Sequence, residues 1–170
     1  KAHGRDSLQA LSKLAVVEDG RYRIVDQPPV VIGLAEAARR VGLPVEEIDQ
    51  MIHDQFRAYR STLQDDRRHL LEQYEIIDAA RKVVGVGSVG TRAFIVLLQG
   101  RDQQDPLFLQ VKEATTSVLE THLPASVYEQ PGERVVQGQR LMQAASDIFL
   151  GWTEGVQADR YFYWRQLRDM

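Results

Sequence analysis

The sequence predicts an α+β fold in which a five-stranded antiparallel sheet with one packed helix follows a mainly helical segment. Two observations lead to this fold class. Runs of β-branched, aromatic and aliphatic residues, separated by glycine or polar turns, make up most of the second half of the chain. The first half instead carries apolar residues at helical spacing. We therefore expect a mainly helical segment with a short hairpin at 1–75 and a β unit at 76–170.

The predicted strands fall into this hairpin and the larger unit. Asp19-Gly20, a favoured turn pair, separates β-type runs at 15–17 and 22–25. In the second segment, three strands come before a helix and two come after it. Their expected bounds are 82–85, 92–98 and 107–112, then 132–145 for the helix, then 148–152 and 161–167.

Helices in the first segment are predicted on both sides of a short helix-breaking segment at residues 42–44. Gly42 would end a helix at 34–41 by adopting the left-handed conformation that favours glycine. Pro44 would stand at the start of a longer helix, since its fixed φ suits that position. Asp65 or Asp66 would cap a third helix.

The composition excludes several classes of function. Of the 170 residues, 44% are hydrophobic and 26% are charged, which is typical of an ordinary globular domain. A formal net charge of -3 gives no broad attraction to nucleic acid or to an anionic membrane. The absence of cysteine excludes disulfides and thiolate metal sites. No apolar run is long enough to span a bilayer and no signal peptide is visible, so we expect a cytoplasmic protein without a membrane partner.

A glycine-rich run is the most informative motif. Gly85, Gly87 and Gly90 form a GxGxxG pattern, and its flanks decide its meaning. A dinucleotide-binding fingerprint requires a helix after the glycines. Here residues 93–98 are mostly β-branched, aromatic or aliphatic, which indicates a strand. The glycines therefore lie at the tip of a β-hairpin, where a need for positive φ could also explain them without any ligand.

The third strand ends at Lys112, which completes a recognisable arrangement. Strand, glycine-rich turn, strand, turn and a strand with a terminal lysine is the layout of protein-kinase-like ATP sites. In that interpretation Gly85, Gly87, Ser88 and Gly90 would cover the phosphates and Lys112 would orient them. The alternative for the lysine is a solvated group at the end of a strand.

Three further charged residues surround this candidate site. Arg92 stands where kinase loops carry an apolar residue against the adenine, so adenine packing must differ or Arg92 itself contacts phosphate. Glu133, the only acidic residue of the predicted helix, is the candidate carboxylate partner of Lys112. Its alternative role is a favourable charge at a helix N-terminus. Strand alternation would point Glu113 away from Lys112, where we expect a surface group.

Four segments of the chain resemble one bacterial family. They are VVGVGSVGTR at 83–92, PLFLQVKEA at 106–114, QRLMQAASDIFLGWT at 139–153 and YWRQLRDM at 163–170. On these motifs the chain is similar to the family catalogued as domain of unknown function 2252 (DUF2252). The resemblance covers most of the chain and is densest from residue 66 to residue 170.

The resemblance implies a relation to the protein-kinase-like superfamily, and with it a site for ATP and Mg²⁺. That superfamily includes small-molecule phosphotransferases, and its small lobe has the same order of three strands, a helix and two strands. The family pattern also contains a Gly-Asp-x-His segment and an Asp-rich segment, similar to catalytic-base and metal-binding segments. Neither is present here. We therefore expect this chain to be part of a longer protein, to be inactive alone, and to depend on the remaining part of the same protein for its base and metal ligands.

Three functions stay open from the sequence. The first is the nucleotide-binding portion of a kinase-like phosphotransferase of unknown acceptor, and the second is a non-catalytic nucleotide-binding (pseudo-kinase) module. The third is a DNA-binding regulator, because residues 34–48 resemble a helix-turn-helix. Glu46, Glu47 and Asp49 on its second helix would repel phosphates, so we expect a packing corner there and no DNA partner.

Overall fold

The computed structural model describes residues 10–83, 90–156 and 159–167. The helices are α1 (Leu34–Val41), α2 (Val45–Ser61), α3 (Asp65–Leu71) and α4 (Pro131–Met142), with a short 3-10 helix at Val118–Thr121. The strands are β1 (Ala15–Glu18), β2 (Arg21–Ile24), β3 (Val31–Gly33), β4 (Glu75–Lys82), β5 (Ala93–Gln99), β6 (Pro106–Ala114), β7 (Gly151–Glu154) and β8 (Tyr161–Gln166). Strands β1 and β2 form a hairpin, and the other six form an antiparallel sheet in the order β3-β4-β5-β6-β8-β7.

The turns of the first segment follow the sequence signals closely. Asp19 and Gly20 both have positive φ angles, 50° and 76°, as the two-residue turn of the β1–β2 hairpin requires. Gly42 ends α1 in the left-handed conformation with a φ of 71°, and Pro44 directly precedes α2. The expected aspartate cap of α3 is wrong, because Gln64 stands at the cap and Asp65 already belongs to the first turn.

The prediction of a five-stranded sheet is wrong by one strand. The additional strand β3 has only three residues, too few to give a periodic signal, and it pairs with β4 far along the sequence. The first strand of the second segment was expected at 82–85, and the structure has it at Glu75–Lys82. This strand contains Asp78, Ala79 and Ala80, whose side chains have weak strand propensity, so packing rather than propensity determines its position.

Two hydrophobic cores lie on the two faces of the sheet. Along β5, Ile95 and Leu97 belong to one core, whereas Val96 and Leu98 belong to the other. The first core includes the helical residues 10–14 and the β1–β2 hairpin, and the second includes α2. Two-sided burial explains why β5 is an almost continuous apolar run.

More than one helix packs on this sheet, which corrects the expectation of a single packed helix. Helix α4 contacts β6, β7 and β8. Helix α2 contributes Phe56 and Tyr59 to the core, and the Tyr59 ring stacks on Trp164 of β8 with 4.6 Å between centroids. Within the described ranges, no helix combines the length and the apolar character needed to cross a membrane.

Candidate functional site

The glycine-rich segment lies between two neighbouring antiparallel strands, β4 and β5. Strand β4 ends at Lys82 and β5 begins at Ala93. Gly85, Gly87 and Ser88 lie outside the described residues. Gly90 is described and has a φ of 89°, and a Cβ placed there would meet no atom of the described residues within 4 Å, its two chain neighbours excepted. A positive φ of this size is a conformation that glycine adopts readily.

Lys112 lies on the strand next to this turn. It pairs in register with Ala93 on β5 and with Tyr163 on β8, and its side chain is half-buried. Strand β6 continues to Ala114, so the lysine stands near the end of its strand rather than at its last residue. The backbone of Lys112 is thus placed beside the start of β5, three residues along the chain from Gly90.

The nearest neighbour of Lys112 on β8 carries a neutral hydroxyl group. Burial raises the pKa of the Tyr163 phenol, and the positive charge of Arg165 lowers it by a smaller amount. Tyr163 therefore stays protonated at neutral pH and supplies no negative charge to the lysine. Tyr163 could not be found from the sequence, because its position depends on the pairing of β6 with β8.

Arg92 lies on the opposite face of the sheet from Lys112. It precedes Ala93, the partner of Lys112, and side chains alternate between faces along a strand. It also lines the same cavity as Phe94 and Val96, which are on the α2 face. The structure therefore does not bring Arg92 and Lys112 to one side of the sheet.

Glu113 is a largely enclosed structural carboxylate, and the expectation of a surface group is wrong. Its side chain is only 10% exposed and one oxygen lies 2.7 Å from Nη1 of Arg160. The other oxygen accepts a hydrogen bond of 2.9 Å from the backbone N–H of Arg92. Glu113 does point away from Lys112, as alternation predicts, but there it meets a guanidinium and a backbone donor instead of solvent.

Glu133 lies in the first turn of α4. The side-chain oxygen of Gln130 accepts a hydrogen bond from the Glu133 backbone N–H, so Gln130 caps this helix. Among the ion pairs between described residues, none joins Glu133 to Lys112. The position of Glu133 fits a favourable charge at the helix N-terminus, which is the alternative role that the sequence indicates.

Two adjacent cavities, which share five lining residues, lie between α1–α2 and the sheet. The larger has a volume of about 330 Å³ and is lined mainly by apolar side chains, among them Phe94 and Trp164. The smaller, of about 300 Å³, is lined by Arg40, Arg81 and Arg92 as well as by apolar residues. We call these the apolar chamber and the arginine chamber. The sequence signal for Arg81 and Arg92 is their position on either side of the glycine-rich run, whereas Arg40 depends on the packing of α1.

Metal ligands do not cluster in the described part of the chain. No group of three or more histidine, cysteine, aspartate or glutamate side chains is arranged there to hold a metal ion. A divalent cation at the glycine-rich turn would therefore need ligands from phosphate oxygens or from outside the described residues.

The fold and site together define a class: an α+β protein whose antiparallel sheet carries a glycine-rich turn beside a strand lysine. Over residues 1–170 the chain matches the model of a family described as an uncharacterized protein conserved in bacteria (DUF2252), and it belongs to that family. Neither the curated proteins nor the solved structures gave a significant match.

Proposed function

We propose that this chain is the nucleotide-binding portion of a kinase-like phosphotransferase whose acceptor is unknown. One observation carries the proposal. Lys112 pairs in register with Ala93, the first residue after the glycine-rich turn region that is part of β5. A lysine on the third strand, next to a glycine-rich hairpin between the first and second, is the arrangement that positions phosphates in kinases.

The chemistry of such a site is positioning and charge neutralisation. Gly85, Gly87, Ser88 and Gly90 would direct backbone N–H groups at the phosphates, and Lys112 would place a positive charge against them. Mg²⁺, if bound, would supply positive charge that offsets the charge of the phosphates. The catalytic base and the metal ligands would come from the remaining part of the same protein. Glu133, whose helix packs against β6, forms no ion pair with Lys112 in the part of the chain that the structure describes, so its proposed role as the carboxylate partner requires a movement of the side chains.

Calorimetric titration with Mg·ATP tests the proposal. We expect Lys112→Ala to weaken binding about tenfold or more, which corresponds to about 1.4 kcal/mol or more of lost binding free energy. Arg57→Ala is the matched control, because it removes one positive charge from an exposed side chain of α2 on the other side of the sheet. Equal binding by the wild type and Lys112→Ala, or equal losses in both variants, would contradict the proposal.

A non-catalytic nucleotide-binding module would use the same residues. The two functions differ only in whether phosphate is transferred. Transfer from labelled ATP by a protein that also contains base and metal-binding segments would establish the phosphotransferase. Nucleotide binding without transfer, in that same protein, would establish the pseudo-kinase module instead.

A DNA-binding role finds less support in the geometry. The second helix of the helix-turn-helix candidate is α2, and its apolar side packs on the sheet through Ile52, Phe56 and Tyr59. Its exposed side carries Asp49 and Asp54. A helix held in this way presents negative charge to solvent, which phosphates repel.

A further inference from the structure

We infer that the two adjacent chambers form a binding site for a small amphipathic acid, with an aliphatic body in the apolar chamber and a carboxylate in the arginine chamber. This site is separate from the proposed nucleotide site. The chambers lie on the α2 face of the sheet, whereas Lys112 points to the other face.

The two chambers are adjacent, because five residues line both of them, which places one ligand within reach of both. Ala79 and Phe94 are the shared residues that belong to strands β4 and β5. The remaining shared residues are Val41, Ile48 and Arg92. A volume of about 330 Å³ is within the range of natural ligand pockets, and is roughly twice that of an engineered cavity of about 150 Å³ that binds benzene.

The lining of the apolar chamber favours an aliphatic or aromatic body. Ile52, Val96 and Phe162 line its walls, and Gln55 is a polar exception apart from the two arginines, Arg92 and Arg160. Filling this space with hydrocarbon removes apolar surface from water on both sides of the contact, which is the principal source of affinity in such pockets.

The charge of the arginine chamber favours an anionic head group. Arg40, Arg81 and Arg92 line it, and none of its described lining residues is acidic. Glu36 offsets part of the charge because it pairs with Arg40 at 2.9 Å. Arg81 is exposed, and its side chain forms no ion pair or hydrogen bond among the described residues. A carboxylate that reaches this chamber would meet a guanidinium that can bind it with two hydrogen bonds.

Titration with short fatty acids tests both halves of the site. The probes are hexanoate, octanoate and 1-octanol, measured by calorimetry on the complete chain. From hexanoate to octanoate we expect affinity to rise about fifteenfold, because each buried methylene strengthens binding roughly fourfold. Octanol, which has the chain without the charge, is expected to bind at least about fivefold more weakly than octanoate.

Two variants assign the effects to the two chambers. Arg81→Gln should lower the affinity for octanoate at least about fivefold and leave the affinity for octanol unchanged. Arg57→Gln, on the exposed side of α2, should change neither affinity. Val41→Trp should lower the affinity for both probes, because Val41 lines both chambers and a larger side chain there would take up part of their volume. Val41 is 63% exposed, so the position can accept a larger side chain. Circular dichroism confirms that each variant is folded.

Three results would overturn the inference. One is the absence of octanoate binding by the folded wild type, and another is equal affinity for octanoate and octanol. The third is displacement of octanoate by Mg·ATP, which would show that the nucleotide uses these chambers. We expect Lys112→Ala to bind Mg·ATP more weakly and to bind octanoate as the wild type does. A failure of the nucleotide proposal is therefore distinguishable from a failure of this one.

Discussion

Asp78 is a charged residue at a position where burial opposes its charge. Its two oxygens accept hydrogen bonds from the backbone N–H groups of Ile24 and Ala79, each at 2.8 Å. Burial nevertheless raises the pKa of Asp78 above its usual value of 3.8, and these hydrogen bonds oppose that shift only in part. The carboxylate therefore attaches the β1–β2 hairpin to the sheet at some electrostatic cost.

The raised pKa of Asp78 predicts a specific dependence of stability on pH. Folding favours its protonated form, so the contribution of Asp78 to the free energy of unfolding is greatest below 3.8 and falls as pH rises through the raised pKa. In denaturant titrations, the stability of Asp78→Asn relative to the wild type should increase as pH rises from 3.8 through the raised pKa. Asp66→Asn, at an exposed position, is the control. Parallel pH profiles for the wild type and Asp78→Asn would contradict the prediction.

Two glycines of α4 should respond in opposite directions to the same substitution. A Cβ on Gly132 would clash with the backbone oxygen of Phe162, which cannot move aside as a flexible side chain could. We expect Gly132→Ala to lower the free energy of unfolding by about 2 kcal/mol. Gly138 has no atom near its Cβ position, so Gly138→Ala should raise stability by about 0.5–1 kcal/mol through helix propensity. Thermal unfolding of the two variants measures this contrast.

At the scale of elements, α2 is held to the sheet by one tyrosine in particular. The Tyr59 hydroxyl donates a hydrogen bond of 2.6 Å to the backbone oxygen of Phe149, and burial raises the pKa of the phenol well above its ordinary value. Tyr59→Phe should cost about 1–3 kcal/mol, because the buried carbonyl would lose its donor. Tyr128→Phe, at a more exposed tyrosine, should be nearly neutral. Equal denaturation midpoints for both variants would show that the Tyr59 hydrogen bond contributes little to the free energy of unfolding.

Element boundaries were predictable where a single residue type determines them. Gly42 and Pro44 fix the break between α1 and α2, and Asp19-Gly20 fixes the β1–β2 turn. The sequence could not locate β3 or the start of β4, because their pairing depends on contacts distant in the chain. In the candidate site, the sequence grouped Arg92 with Lys112, and their placement on opposite faces also requires the register of β5 with β6. The burial of Glu113 does not follow from alternation, because it requires Arg160.

At the scale of the whole molecule, the protection of backbone amides from hydrogen exchange should be greater at the centre of the six-stranded sheet than in the separate β1–β2 hairpin. Ile95, Leu97, Leu98 and Leu109 on β5 and β6 are fully buried, whereas β1 and β2 carry mostly exposed or half-buried residues. Hydrogen exchange should therefore be slowest for the amides of β5 and β6, where opening requires global unfolding, and faster in the hairpin. Amides of β1 and β2 that exchange as slowly as those of β5 would contradict this gradient.

The burial of Glu113 has a consequence for the history of the family. Because its carboxylate is largely enclosed and has Arg160 as a countercharge, loss of Arg160 alone would leave the carboxylate poorly solvated. A viable neutral substitution at position 160 should therefore be accompanied by a neutral residue at position 113. Across family members we expect these two positions to covary in that direction.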